Sequence, residues 1–377
     1  MPLVKFMPAP RLVITLLSAG FGAAFILWAG GCSATPSPVT KTGEKQASGT
    51  VEVPKAPALS AASEAREAEA EPRERQVQRR AWSYAGFDGE AIFTENYEIY
   101  TTARREDFVD QLPVFFEAAL DHYTSFFGEL PRPNQPLETY LFQDRRQWQV
   151  KTQEVLPNQA NIFNSLGRGG FATRGVAVLY YIDHPRSRSS RDTYAIAAHE
   201  GWHQYTQSTF RQSLPIWLEE GIATYMEGFR LRPDGSVQFR PWANNERRMA
   251  LYEAVRTDRL IPLAELLHRS PQDFLERGKN RLLIYYAQVW ALSRFMMEYG
   301  EGRYQEPLRE VLQDAAHGRL GQRLRNSTVI SGGNRRGAAT LMRSGPWVLL
   351  EYFNRDLEAF EDAYFSYIRT ITSRGRR

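Results

Sequence analysis

His199-Glu200-Gly201-Trp202-His203 constrains this chain more tightly than any other stretch of its 377 residues. Two imidazoles four residues apart lie one above the other on one helix face, where both can reach a single tetrahedral cation, so the spacing demands a helix. Glu200, directly after the first histidine, then falls beside such a cation rather than on it. A zinc ion lowers the pKa of its water to about 7, and a neighbouring carboxylate can take the proton as that water attacks a carbonyl. The helix is expected over about residues 190 to 208, because Ser189-Ser190-Arg191-Asp192 reads as a capping box ahead of the apolar stretch Tyr194, Ala195, Ile196, Ala197 and Ala198.

A catalytic zinc keeps three protein ligands and an open fourth position, so a further ligand is required. Glu220 is the candidate. Pro215 suits the first turn of a second helix, and Ile216, Trp217, Ile222, Ala223 and Met226 give that helix an apolar side to pack on the first. Glu219 is expected to point elsewhere as a solvated charge, since a helix turns about 100° per residue. Glu227 returns to the face of Glu220 and can orient a ligand from behind, a solvated carboxylate being the plain alternative. His122, His184, His268 and His317 have no ligand spacing; only His184, in the loop before the metal helix, is a secondary candidate.

The run Leu214-Pro215-Ile216-Trp217-Leu218-Glu219-Glu220-Gly221-Ile222-Ala223-Thr224-Tyr225-Met226-Glu227 resembles the Trp-Leu-x-Glu-Gly-x-Ala helix of the gluzincin branch of zincin metallopeptidases, the peptidase-MA-like group, with Glu220 at the ligand position and 16 residues between it and His203. Gly169-Gly170-Phe171 followed by Gly175 to Ile182 resembles the edge strand that precedes the metal helix in these enzymes and pairs with extended substrate. The segment Tyr285 to Leu292 is similar to a later helix of the family that brings a tyrosine near the metal. The likeness is tight over residues 169–228 and loose over 90–370, and is greatest to a bacterial lipoprotein group of predicted metallopeptidases. It implies a zincin-like fold, one zinc per chain on His199, His203 and Glu220, Glu200 as general base, and a peptide or protein substrate. It also implies that Tyr286, or Tyr285, donates to the developing oxyanion, with simple helix packing as the alternative. Residues 169–176 do not match the Gly-x-Met-x-Asn type element by which the aminopeptidases of this branch hold a free amino terminus, so aminopeptidase specificity is not implied. The competing reading is a catalytically inactive, zinc-stabilised binding or assembly lipoprotein on the same fold.

Residues 1–31 resemble a bacterial lipoprotein signal: Lys5 and Arg11, an apolar run from Leu12 to Trp28, then small residues ending at Cys32. Cys32 is the only cysteine, which excludes a disulfide within the chain, and is expected to be the lipidated first residue of the mature protein. An uncleaved anchor is the alternative, residues 12–31 being long enough to span a bilayer. Either way the chain is expected in the cell envelope, membrane-anchored and facing the extracytoplasmic side. Residues 32–80 have no aromatic residue and cannot build a core, so they read as a disordered tether reaching roughly 40 Å.

Residues 81–377 read as one α+β domain with the metal where two halves meet: a mixed half over 81–208 that includes the metal helix, and a helical half over 209–377. Strands are expected over 97–101 and 137–142. A helix is expected over 105–128, with Phe108, Leu112, Phe116, Leu120, Tyr123 and Phe127 as its core stripe, and further helices near 215–228, 243–256, 285–299, 304–315 and 346–373. Residues 318–344, rich in Arg and Gly, read as a long solvated or partly disordered loop, with contact to anionic envelope polymers or lipid headgroups as the alternative. A net charge of +4 without a matching motif points away from nucleic acid.

Overall fold

A computed structural model of the chain describes residues 12–13, 77–160, 169–182, 190–329 and 345–373. Cys32, most of the expected leader, nearly all of the tether, and His184 lie outside the described residues. Among the described residues no helix is long and apolar enough to cross a membrane.

The architecture is mixed α+β. Seven strands form one sheet: β1 (Leu12–Val13), β2 (Gln78–Tyr84), β3 (Phe87–Phe93), β4 (Tyr97–Thr101), β5 (Leu137–Phe142), β6 (Phe171–Thr173) and β7 (Val176–Tyr180), in the order β1-β6-β7-β5-β4-β3-β2. Two tight hairpins shape its ends. Ala85-Gly86 and Arg174-Gly175 have positive φ at both turn residues, the backbone twist that matches the flanking strands. In the middle β4, β5 and β7 run parallel and need crossover helices. Helix α1 (Glu106–Ser125) joins β4 to β5, and α2 (Arg145–Val155), capped by Asp144 accepting from Gln147 N at 3.0 Å, follows β5.

The core stripe expected on α1 is buried as the spacing predicts. It packs on the face of the sheet that carries Tyr97, Ile99, Leu137 and Leu141, and each fully buried aliphatic or aromatic side chain contributes about 1.5–3 kcal/mol. One expectation is corrected. The strand within residues 175–182 is not an edge: β7 lies between β5 and β6, and the hairpin at Arg174-Gly175 turns the chain so that β6 lies outside it.

The remaining helices are α3 (Arg191–Thr209), α4 (Ile216–Met226), α5 (Asn245–Arg256), α6 (Leu263–His268), α7 (Pro271–Glu276), α8 (Lys279–Glu298), α9 (Gln305–His317), α10 (Leu320–Asn326), α11 (Trp347–Tyr352) and α12 (Leu357–Ser373). Ser190, the N-cap of α3, makes no side-chain cap bond, and Ser189, where the expected capping box starts, lies outside the described residues. A short hairpin, β8 (Phe229–Leu231) and β9 (Val237–Phe239), interrupts the helical half. The single helix expected over 346–373 is broken, because Asp356 accepts from Ala359 N at 3.0 Å and starts α12 afresh. Part of the expected Arg-rich loop is also helix: α10 lies within it, and Arg319 and Arg323 pair with Asp314 and Glu310. Residues 330–344 of that stretch lie outside the described residues.

Helix α3 is buried on nearly every side. Its polar side chains therefore tie it to its neighbours. Gln204 Nε2 donates to Glu138 O and Gly175 O, and Gln207 Nε2 donates to Ala172 O, so two amides fix the helix to β5, β6 and the hairpin turn. Glycines set the helix spacing. A Cβ at Gly201 would sit 2.8 Å from the Tyr123 hydroxyl, and one at Gly221 would sit 2.7 Å from Ser293 Oγ and 2.9 Å from Val289 O of α8. Gly221→Ala should destabilise the fold by about 1–2 kcal/mol, since forced separation of α4 and α8 outweighs the helix propensity gained. Urea unfolding monitored by circular dichroism checks this, and an unchanged or raised midpoint contradicts it.

Candidate metal centre

Helices α3 and α4 pack together with Glu220 facing the two histidines. One ligand atom from each of His199, His203 and Glu220 lies within 4.8 Å of the other two. Glu220 Oε2 is 3.5 Å from His199 Nε2 and 3.8 Å from His203 Nε2. All three residues are at most 1% exposed, and those three atoms have no hydrogen-bond partner. A buried polar atom left unsatisfied costs about 1–3 kcal/mol, so three converging on one point are an unfavourable arrangement unless a cation joins them. Two imidazole nitrogens and one carboxylate oxygen form a donor set that zinc accepts while keeping an open position. The residues present fit a metal ion.

The opposite ring nitrogens are held by carboxylates. His199 Nδ1 lies 2.9 Å from Glu227 Oε1, and His203 Nδ1 lies 3.0 Å from Glu219 Oε1. An Nδ1–H donated to a carboxylate leaves the Nε2 lone pair for the metal. The expectation for Glu219 is therefore corrected: it is 7% exposed, faces α3, and accepts from Thr206 Oγ1 at 2.7 Å as well. Adjacent glutamates on α4 can both face the histidines because one meets Nε2 and the other reaches around to Nδ1. Glu227 takes the role of orienting a ligand. Asn244 Nδ2 donates to it at 2.8 Å, and Arg247 donates through Nε at 3.1 Å and Nη2 at 2.9 Å. Arg247, only 2% exposed, is a functional neighbour that the sequence reading missed. Its signal was Asn244, which accepts from Arg247 N and starts α5.

These contacts set the charges. Burial alone would push His199 down, but the carboxylates of Glu220 and Glu227 outweigh it and raise the imidazole to about 9. Burial pushes Glu227 up, while Arg247 and then His199 outweigh that and hold it at about 2.

Glu200 is fully buried and close enough to His199 for its charge to help raise that imidazole. A Cβ on Gly170, the residue before β6, would lie 3.2 Å from its Cγ, so the backbone that enters the outer strand passes directly over Glu200. Tyr286 places its ring centroid 6.2 Å from that of His199, with the Arg247 guanidinium over its face at 5.4 Å. Tyr285 stacks on Phe274, and its buried hydroxyl is raised well above its usual range, by burial first and then by the charge of Glu220. The other described histidines stand apart from the ligand set. His122 stacks on Phe239 and is lowered to about 3 by burial, while His268 and His317 direct Nδ1 to backbone carbonyls of their own helices.

No protein-family model, no curated protein and no solved structure matches the chain.

The metal-free protein should show a definite pH dependence. His199, raised to about 9 from an ordinary 6.5, contributes stability fully present below about pH 6.5 and lost as pH rises through 9. Glu227, lowered to about 2 from 4.5, contributes stability present above about pH 4.5 and lost as pH falls towards 2. Zinc must displace the His199 proton, so its apparent affinity should rise from pH 6.5 to 9 with proton release. Calorimetric zinc titration in buffers of different ionisation enthalpy reads that release directly, and a buffer-independent heat at pH 7 contradicts it.

Proposed function

We propose that the chain is a zinc metallopeptidase of gluzincin type on a zincin-like fold, tethered in the cell envelope through lipidated Cys32 and acting on peptide or protein substrates. The observation that carries this reading is the buried set of His199 Nε2, His203 Nε2 and Glu220 Oε2, converging without a hydrogen bond to any protein group, with the charge of Glu200 acting on His199. Retention of a buried carboxylate that is not one of the three ligands supports turnover over a purely structural metal.

When bound, zinc supplies Lewis acidity that acidifies water and polarises a peptide carbonyl. His199, His203 and Glu220 hold the ion, while Glu219 and Glu227 keep both imidazoles turned towards it. Glu200 takes the proton of the attacking water on its carboxylate and returns it to the leaving nitrogen, which departs as an amine. Tyr286 donates to the negative charge that develops on the carbonyl oxygen.

Substrate is proposed to pair with β6. The outer edge of that strand accepts an extended antiparallel segment, Leu12 opposite Thr173 and Val13 opposite Ala172, and removal of residues 1–31 as a leader would leave the edge to substrate. A cavity of about 270 Å³ beside Glu227, walled by Ile182, Arg191, Ala195, Ile196, Asn244 and Arg247, offers room for a substrate side chain.

Glu200→Gln is expected to keep its zinc and lose about 10²–10⁴-fold in the rate of cleavage of a denatured-protein pool, because the ligands stay intact while the proton acceptor is removed. Elemental analysis and mass-spectrometric product detection on the same samples check both halves. Full turnover by the variant removes Glu200 from the mechanism, and a wild-type chain that binds zinc without cleaving any peptide supports the binding or assembly lipoprotein instead.

A further inference from the structure

The face of the sheet opposite α1 carries side chains for which the proposed reaction has no use. Helix α2 covers its β5 and β7 end, where Trp148 contacts Tyr180 and donates to Val178 O at 3.1 Å. Farther along, the same face holds Trp82, Tyr84, Tyr100 and Tyr140, all partly exposed. Trp82 lies across the others, its ring centroid 5.4 Å from Tyr100, 6.1 Å from Tyr140 and 5.9 Å from Tyr84. Tyr100 and Tyr140 stack on each other at 5.1 Å. The residue opposite Trp82 on β3 is Gly89, which puts no side chain between Trp82 and the tyrosines of β4 and β5.

The polar groups of this ridge have a definite sense. Each of the three tyrosine hydroxyls donates to a carboxylate: Tyr84 to Glu154 at 2.7 Å, Tyr100 to Glu98 at 3.0 Å, and Tyr140 to Glu138. What the ridge offers a ligand is aromatic surface and acceptor oxygens, with its hydroxyl donors already committed. Lys151 Nζ sits 4.2 Å from the Tyr140 centroid and 5.4 Å from that of Tyr84, so those rings also carry a cation already.

We propose that this ridge binds a neutral polysaccharide strand. Pyranose rings present weakly positive C–H faces to the negative face of an aromatic ring, which suits Trp82, and rows of hydroxyls that donate, which suits Glu98 and Glu138. A polyproline-type peptide is a poorer match, because it has no N–H to give Glu98 and Glu138, although the Trp82 indole and Lys151 could serve its carbonyls. A cationic ligand meets Lys151 at Tyr84 and Tyr140. The metal helix α3 lies against the other face, where Gln204 Oε1 accepts from the inward Thr139 Oγ1, so glycan binding and the metal centre are separable.

Titrating the full-length chain with cellohexaose and with chitohexaose, followed by calorimetry and tryptophan fluorescence, tests the inference. Saturable binding to at least one oligosaccharide is expected, weakened about tenfold or more in Trp82→Ala, as loss of one stacking contact of about 1.4 kcal/mol requires. Glu98→Gln is expected to weaken it several-fold with an unchanged circular dichroism spectrum, while His203→Ala leaves it unaltered. No saturable binding to either sugar, or equal affinity in Trp82→Ala and wild type, overturns the proposal. Binding of decaproline or tetramethylammonium in place of the sugars overturns it equally and assigns the ridge to a peptide or a cation.

Discussion

Three polar atoms that converge inside the protein without a hydrogen bond among them are the arrangement that joins α3 to α4. Burying imidazole and carboxylate groups is costly, and the cost is met here from both sides. On one side a metal ion can join His199, His203 and Glu220. On the other, Glu219, Glu227, Asn244 and Arg247 supply hydrogen bonds that keep each ring in one tautomer. The Arg247–Glu227 pair is itself buried, and losing one member of such a pair costs about 3–5 kcal/mol, so the support for His199 is also a structural commitment of α5.

The close approach that this centre needs comes from small residues. Gly221 lets α4 settle on α8, Gly201 lets α3 meet Tyr123 of α1, and Gly170 lets the chain entering β6 pass over Glu200. Each lies within one residue of a group in the proposed mechanism or at direct contact with it. Backbone proximity and side-chain chemistry are therefore set by the same stretches of sequence.

The histidine pair was legible because helix geometry converts spacing into position without help from the rest of the fold, whereas Glu220, on another helix, was read from the apolar side of its own segment and from the resemblance. Glu219 was misread for a related reason. The angle between adjacent residues says that they diverge, but not that an imidazole offers a binding atom on each side. A better signal was present: α4 is buried almost throughout, and a carboxylate in such a helix needs a partner. The hairpin of β8 and β9 also left a trace, since Pro233-Asp234-Gly235 is turn chemistry that the helical periodicity around it obscured. Helix α2 was hidden by its polar sequence, of which only Gln147, Trp148 and Thr152 are buried. The interior position of β7 could not be read locally, because strand order depends on pairings distant in sequence.

The central claim is that His199, His203 and Glu220 together bind one metal ion. Elemental analysis of the purified chain beside His203→Ala, after dialysis against equimolar zinc, tests it most directly. The account predicts about one zinc per wild-type chain and its loss from the variant, as a three-ligand site requires. A wild-type chain without zinc, or a variant that holds as much as wild type, would contradict it.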